Sequence, residues 1–290
     1  MPRSSDRILT THTGSLPRPA ELLDLLRSGE GGASIDADAF EREAVKAVQD
    51  IVRTQKEIGI DLVNDREQSK PDYSTYIKNR LNGFDGEMEI HPVSRDARDF
   101  PEYFAGNRAG TVMTARPCCT GPIPWRDRGA VDRDIVRFKA ALEAAAISSD
   151  DAFMTAVSPG HAARFLGNRY YRTHEEYLRA LAAILKDEYD AIAAAGFTLQ
   201  VDCPDLASGW NNQFAECSVA EFRDIVRLHL TILDEALCDV PPERLRLHLC
   251  WGNYAGPHNH DIPLRDIRRS GTRFAGDDDF FRGCQSPPRA

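Results

Sequence analysis

The sequence has no run approaching the ~20 apolar residues of a membrane-spanning helix, and its first residues, MPRSSDRILTTHTGS, hold no apolar stretch of signal-peptide length. A cytoplasmic location is the default expectation, with no membrane partner. Nor is there a concentrated basic face. Lys and Arg total 36 against 45 Asp and Glu, for a formal net charge of −9, the opposite of what a general nucleic-acid binder needs. The densest basic run, Arg265 to Arg273, is short and reads as part of a solvated tail. The seven cysteines, Cys118, Cys119, Cys203, Cys217, Cys238, Cys250 and Cys284, are odd in number and irregular in spacing. They are read as free thiols and metal-ligand candidates, not as a disulfide framework. GxSxG, the Walker loop and HExxH are all missing, which removes the commonest hydrolase and nucleotide-binding sites.

What is present is a recurring unit: an amphipathic helix, a Gly or Pro break, a short apolar strand, then polar residues. Thr173 and Glu176 form a predicted capping box, and Tyr177, Leu181, Ile184, Leu185 and Ile192 mark one helical face. Gly196 ends that helix, and Phe197 to Val201 reads as a strand running into Asp202-Cys203-Pro204-Asp205. A second unit starts at Ser218 and Glu221, breaks at Pro241-Pro242, and enters a strand from Leu245 to Cys250. An earlier one runs from Phe40 to Ile58, turns at Gly59, and leads through Ile60 to Val63 into Asn64-Asp65-Arg66-Glu67. Further strands are expected at Ile8 to Thr13, Thr111 to Ala115 and Phe153 to Val157. Strands alternating with helices imply parallel βα units, and about six of them without GxGxxG after the first strand favour a (β/α) barrel over a dinucleotide-binding sheet.

The expected architecture is therefore an incomplete TIM-type barrel over residues 1–266, about six of eight units, followed by a polar, disordered tail over 267–290. The tail has no strand-like apolar run, and ~23 residues cannot supply two more units. The open edges of such a barrel are an expected route to self-association.

Alternation along Leu245 to Cys250 places the three leucines on one face and Arg246, His248 and Cys250 on the other. His248 and Cys250 would share the lumen side at the strand end, an imidazole and a thiolate suited to Zn2+. Asp202 ends the preceding strand, where a carboxylate can meet a substrate ammonium. Glu67 is a second strand-end carboxylate, and Ser15 follows a glycine that lets backbone N–H groups approach an anion. His161, after Ser158-Pro159-Gly160, reads as helix-start packing, and His258 and His260 read as loop residues.

In ordered combination these segments resemble the catalytic barrel of the cobalamin-independent methionine synthases. The resemblance is carried by TTHTGSLPRP, by Asp61 to Asp72, by LQVDCPDLA and by LHLCWGNY, and it covers Ile8 to about Asp266. It implies a zinc-dependent S-methyltransferase of the 5-methyltetrahydropteroyltriglutamate–homocysteine type, acting in methionine biosynthesis. His248 and Cys250 would be metal ligands, and Ser15, Glu67 and Asp202 would bind the homocysteine-like thiol. The methyl donor would be a methyltetrahydrofolate-like molecule. Three departures stand out. Cys203 replaces the Glu of the family's Asp-Glu-Pro, Arg66 replaces the Gly before the second-strand glutamate, and the strands carrying the family's remaining zinc ligands have no counterpart here. The proton donor is accordingly not assigned. The alternatives are an alkyl-thiol transferase of the coenzyme M type, a uroporphyrinogen decarboxylase-like barrel, and an inactive truncated fragment.

Overall fold

The structure is a computed structural model that describes residues 7–86, 93–106, 116–252 and 255–267. The chain begins with helices α1 (Ala20–Glu30) and α2 (Ala37–Glu57), then strand β1 (Phe84–Asp85), helices α3 (Arg95–Asp99) and α4 (Pro101–Gly106), and strand β2 (Cys118–Cys119). It continues through α5 (Ala130–Ala144), β3 (Phe153–Val157), α6 (Pro159–Phe165), β4 (Gly167–Asn168), α7 (His174–Ala194) and β5 (Thr198–Asp202). The last elements are α8 (Asp205–Ser208), α9 (Val219–Ala236), β6 (Leu245–His248) and α10 (Leu264–Ile267). None of the described helices is long and apolar enough to cross a membrane.

Strands β3, β5 and β6 form a parallel sheet in that order, with Val157 opposite Asp202 and Asp202 opposite His248. Two parallel bridges extend it, Val63 to Ala152 and Thr11 to Leu62. The order across the sheet is therefore Thr11, Leu62-Val63, β3, β5, β6. On the outer side α2 packs on α5, α5 on α7 and α7 on α9, and α7 covers β3 and β5. Val52, Phe138, Leu181, Leu185, Phe197, Leu199, Val201 and Phe222 fill the layer between and are fully buried. At ~25 cal/mol per Å² of apolar surface removed from water, this layer is the main stabilising element of the fold.

Three expectations need correction. The sheet passes directly from Val63 to Ala152 and β3, through Phe153 N to Val63 O and Val63 N to Asp151 O, each 3.0 Å. No described strand lies between them, and the described residues supply five consecutive parallel segments where about six were expected. The expected strand at Thr111 to Ala115 lies outside the described residues, as does the tail from residue 268 onward, with Cys284. The first expected strand, Ile8 to Thr13, contributes only the bridge at Thr11. Side-chain bonds take the place of a ladder there: Thr10 N and Oγ1 donate to Asp61 Oδ2 at 2.7 and 2.9 Å, and Arg7 pairs with the same carboxylate. Finally, Thr173 caps α7 as expected, but Glu176 accepts from Arg172 N, one residue before the cap. The complete capping box is at Ser218 and Glu221.

The segment between Val63 and β1 carries Glu67 and is pinned from below by a buried ionic network. Glu188 of α7 accepts from Tyr76 Oη at 2.9 Å and Arg80 Nη1 at 3.3 Å, and Lys70 Nζ stands 3.7 Å away. Asp134 of α5 pairs with Arg80 and accepts from Ser69 Oγ at 2.7 Å and Arg137 Nη1 at 2.8 Å. Lys70 Nζ also donates 2.9 Å to Thr155 O on β3. Breaking one member of such a network strands a buried charge, at a cost of about 3–5 kcal/mol.

Candidate active site

The polar ends of the parallel segments converge on one mouth. Asp202, the last residue of β5, and His248, the last of β6, sit directly opposite each other. His248 Nδ1 is 2.9 Å from Asp202 Oδ1, and Gln200 Nε2 donates to the same oxygen at 2.7 Å. This pairing occupies Nδ1 and leaves Nε2 as the atom for a metal, the usual carboxylate–histidine arrangement of zinc sites. Cys250 lies beyond the strand end with its thiol in hydrogen-bonding reach of the His248 ring. Burial disfavours charge on His248, but the bonds to Asp202 and Cys250 outweigh it and push the imidazole up to about 10. Leu245 and Leu247 pack on the apolar core, as strand alternation requires.

Across the mouth, Glu67 is 1% exposed. Its Oε2 accepts from Ser15 Oγ, and its Oε1 accepts from Thr155 Oγ1 at 2.9 Å. Burial, reinforced by the charge of Asp202, pushes the Glu67 carboxyl above the usual range. The backbone around it is unusual: Arg66 and Glu67 have φ of +55° and +59°, consecutive non-glycine residues in the left-handed region. Such strain persists only where surrounding structure over-determines it. Here Arg66 N is held by Asn64 Oδ1 at 2.9 Å, and Arg18 Nη2 clamps Glu67 O and Lys70 O at 2.8 and 2.7 Å.

The five expected residues thus fall into two bonded groups, Ser15 with Glu67 and Asp202 with His248 and Cys250, joined electrostatically through Glu67 and Asp202. Asp202 is not a helix cap, since the residue preceding α8 is Pro204. Among the described residues, no set of three His, Cys, Asp or Glu side chains is arranged to hold a metal ion. The donors present, one oriented imidazole and one thiol, fit zinc in kind and supply two ligands. His161 packs at the start of α6, stacked 5.2 Å from the Tyr73 ring. His258 and His260 face carboxylates instead, Asp261 at 3.1 Å and Asp99 at 2.6 Å.

Gln200, Thr155 and Arg18 complete the mouth and were not singled out from the sequence. Gln200 was accessible to strand alternation, sharing the face of Asp202. Arg18 acts through backbone carbonyls some 50 residues away, a contact with no local signature.

No family model matches the chain. It is 24% identical over 271 residues to the 5-methyltetrahydropteroyltriglutamate–homocysteine methyltransferase of Bifidobacterium longum subsp. infantis, covering 89% of this chain and 30% of that protein. The enzyme of the same name from Bifidobacterium animalis subsp. lactis is 22% identical over 256 residues, covering 84% and 29%. Among solved structures, a B12-independent methionine synthase from a Shewanella species superposes with a TM-score of 0.60 at 20% identity, over 84% of this chain and 61% of that one. The putative vitamin-B12 independent methionine synthase of Listeria monocytogenes gives 0.53 at 19% identity, over 86% and 68%. The chain spans about 30% of the length of the curated relatives it matches. The chain is thus similar, over most of its length, to part of enzymes named as cobalamin-independent methionine synthases.

Proposed function

We propose that the chain is a zinc-dependent S-methyltransferase that moves a methyl group from a methyltetrahydrofolate-like donor to a homocysteine-like thiol. The observation that carries this reading is the oriented His248, held by Asp202 and adjoining Cys250, at the same mouth as the buried Glu67 and its Ser15 partner. The names of the sequence relatives support it. The parallel segments are read as part of a (β/α) barrel, with the chemistry at the carboxyl ends of the strands.

In this reading His248 and Cys250 would hold the zinc, and bound zinc lowers a thiol's pKa so that a thiolate forms near neutral pH. Asp202 fixes the His248 ring and its tautomer. Glu67 and Asp202 give the mouth the negative character that attracts a substrate ammonium. Ser15, on an exposed loop, closes over Glu67 and positions the thiol's polar end. The thiolate attacks the methyl carbon in line, the bond from that carbon to the donor's nitrogen breaks, and the freed nitrogen takes up a proton; holding the two reactants in that geometry is the mouth's principal contribution.

The test is to incubate the zinc-supplemented chain with homocysteine and polyglutamylated 5-methyltetrahydrofolate and to measure methionine by mass spectrometry. Zinc-dependent methionine formation is the expected result. No methionine from a folded, zinc-loaded chain would contradict the reading.

A further inference from the structure

A cavity of about 600 Å³ opens between α1, the start of α2 and the start of α5, over residues 69–71. That size lies within the ~300–1,000 Å³ range of small-molecule sites. Leu25, Leu26, Ile35 and Phe40 give it an apolar wall. Leu26 and Phe40 belong to a small cluster with Leu22, Ala44 and Ala47 that does not join the main core, and Leu25, Ile35 and Phe40 are only half-buried. The rest of the lining is charged, and its pairing is uneven. Each lining acid is engaged: Glu30 by Lys78, Glu41 by Arg137, Asp127 by Arg133, and Asp134 by both Arg80 and Arg137. Lys70 stands 3.7 Å from Glu188. Arg126 is the one lining cation that meets no carboxylate among the described residues; it is exposed, and its guanidinium donates to the carbonyl of Asn79. The chain as a whole carries a net charge of −9, so an uncompensated guanidinium beside partly wet apolar surface stands against the general balance. The two features together describe a place for an amphipathic anion.

We propose that this cavity binds a small organic carboxylate with an apolar body, an aromatic ring or a branched aliphatic chain, at a site separate from the mouth. The carboxylate meets Arg126, and the body covers Leu25, Ile35 and Phe40, where the area removed from water supplies affinity. Arg80, Arg137 and Asp134 form a fixed boundary, because each already has its ionic partners. A ligand ending in an amine finds no unpaired acid there, and a bare inorganic anion leaves the apolar wall wet. Lys70 stands between cavity and mouth: it lines the cavity, and its Nζ donates to Thr155 O, the residue whose hydroxyl bonds Glu67. The inference rests on no part of the transferase reading.

The experiment is calorimetry on the full chain with phenylacetate and isovalerate. Benzyl alcohol and benzylamine serve as neutral and cationic counterparts, and acetate as a carboxylate without the body. Wild type should bind phenylacetate or isovalerate about tenfold or more tighter than any of the three, the scale of one charged hydrogen bond or of a few buried methylenes. The better of the two carboxylates identifies the body the wall accepts. Arg126→Gln should bring the carboxylates level with benzyl alcohol, Arg126→Lys should restore part of the difference, and Ile35→Asn should bring them toward acetate. Circular dichroism checks that each variant folds, and the comparison of ligands in wild type stands without any variant. Failure of both carboxylates to bind, parity with benzyl alcohol or with acetate, or affinity unchanged in folded Arg126→Gln overturns the inference.

Discussion

His248 and Asp202 are register partners on adjacent parallel strands, and their side chains meet at 2.9 Å through Nδ1 and Oδ1. Parallel pairing places residues at matching depth on one face, so the contact follows from sheet register and not from loop conformation. The carboxylate therefore engages Nδ1 and holds the imidazole in place.

Asp202→Asn should accordingly weaken metal binding as well as thiol binding. Loss of the carboxylate behind a ligating histidine typically costs about 10–100-fold in metal affinity, and homocysteine should bind about 1.5–3 kcal/mol more weakly through a lost charged hydrogen bond. Zinc affinity from chelator competition and calorimetry with homocysteine measure the two effects. Unchanged zinc affinity would restrict Asp202 to substrate binding.

Metal-free protein should lose stability as the solution is made alkaline. The folded His248 imidazole is pushed up to about 10, against an ordinary value of 6.5. A raised folded value stabilises fully below the unfolded value and loses that contribution as pH rises through the folded one. Thermal midpoints of the apo protein should therefore decline between about pH 6.5 and 10, and His248→Gln should flatten that decline.

Acid acts through a different histidine. His161 is completely buried, neither ring nitrogen has a partner, and burial, aided by Arg164, depresses it to about 3. A histidine with a depressed folded value contributes its stability above the unfolded value, and that contribution falls as pH drops from about 6.5 toward the folded value. His161→Phe keeps an aromatic ring against Tyr73 and removes the titration. Its melting temperature should fall less than that of wild type between about pH 6.5 and 4, and equal slopes would exonerate His161.

Gly160 is a steric requirement of the same region. A Cβ there would lie 2.2 Å from Asp205 Oδ2 and 2.3 Å from His229 Nδ1, the buried pair that meets at 2.8 Å. Gly160→Ala must separate that pair or displace α6, and should cost about 3 kcal/mol or more in urea denaturation. Gly121→Ala has nothing within 4 Å of its Cβ and serves as the control.

Much of this was legible in the sequence because it is local. The helix from Phe40 to Ile58, the Ser218–Glu221 box and the alternation of Leu245, His248 and Leu249 are set by spacing within a few residues. The two carboxylates and the His–Cys pair were readable as strand-end residues for the same reason. What was not legible depends on long-range closure. Nothing local says that Val63 bridges Ala152, which removes the room for a strand between them. The Asp205–His229–His174 chain, with imidazoles 3.0 Å apart, joins three elements far separated in sequence. Arg66 was visible as a departure from a glycine, but its left-handed backbone and unmet donors exist only in the folded loop.

The measurement that bears most directly on this account is the zinc content, by mass spectrometry, of the purified chain and of His248→Ala and Cys250→Ser. The account predicts bound zinc in wild type, and loss from both variants with circular dichroism unchanged. Zinc retained equally in both variants would contradict it.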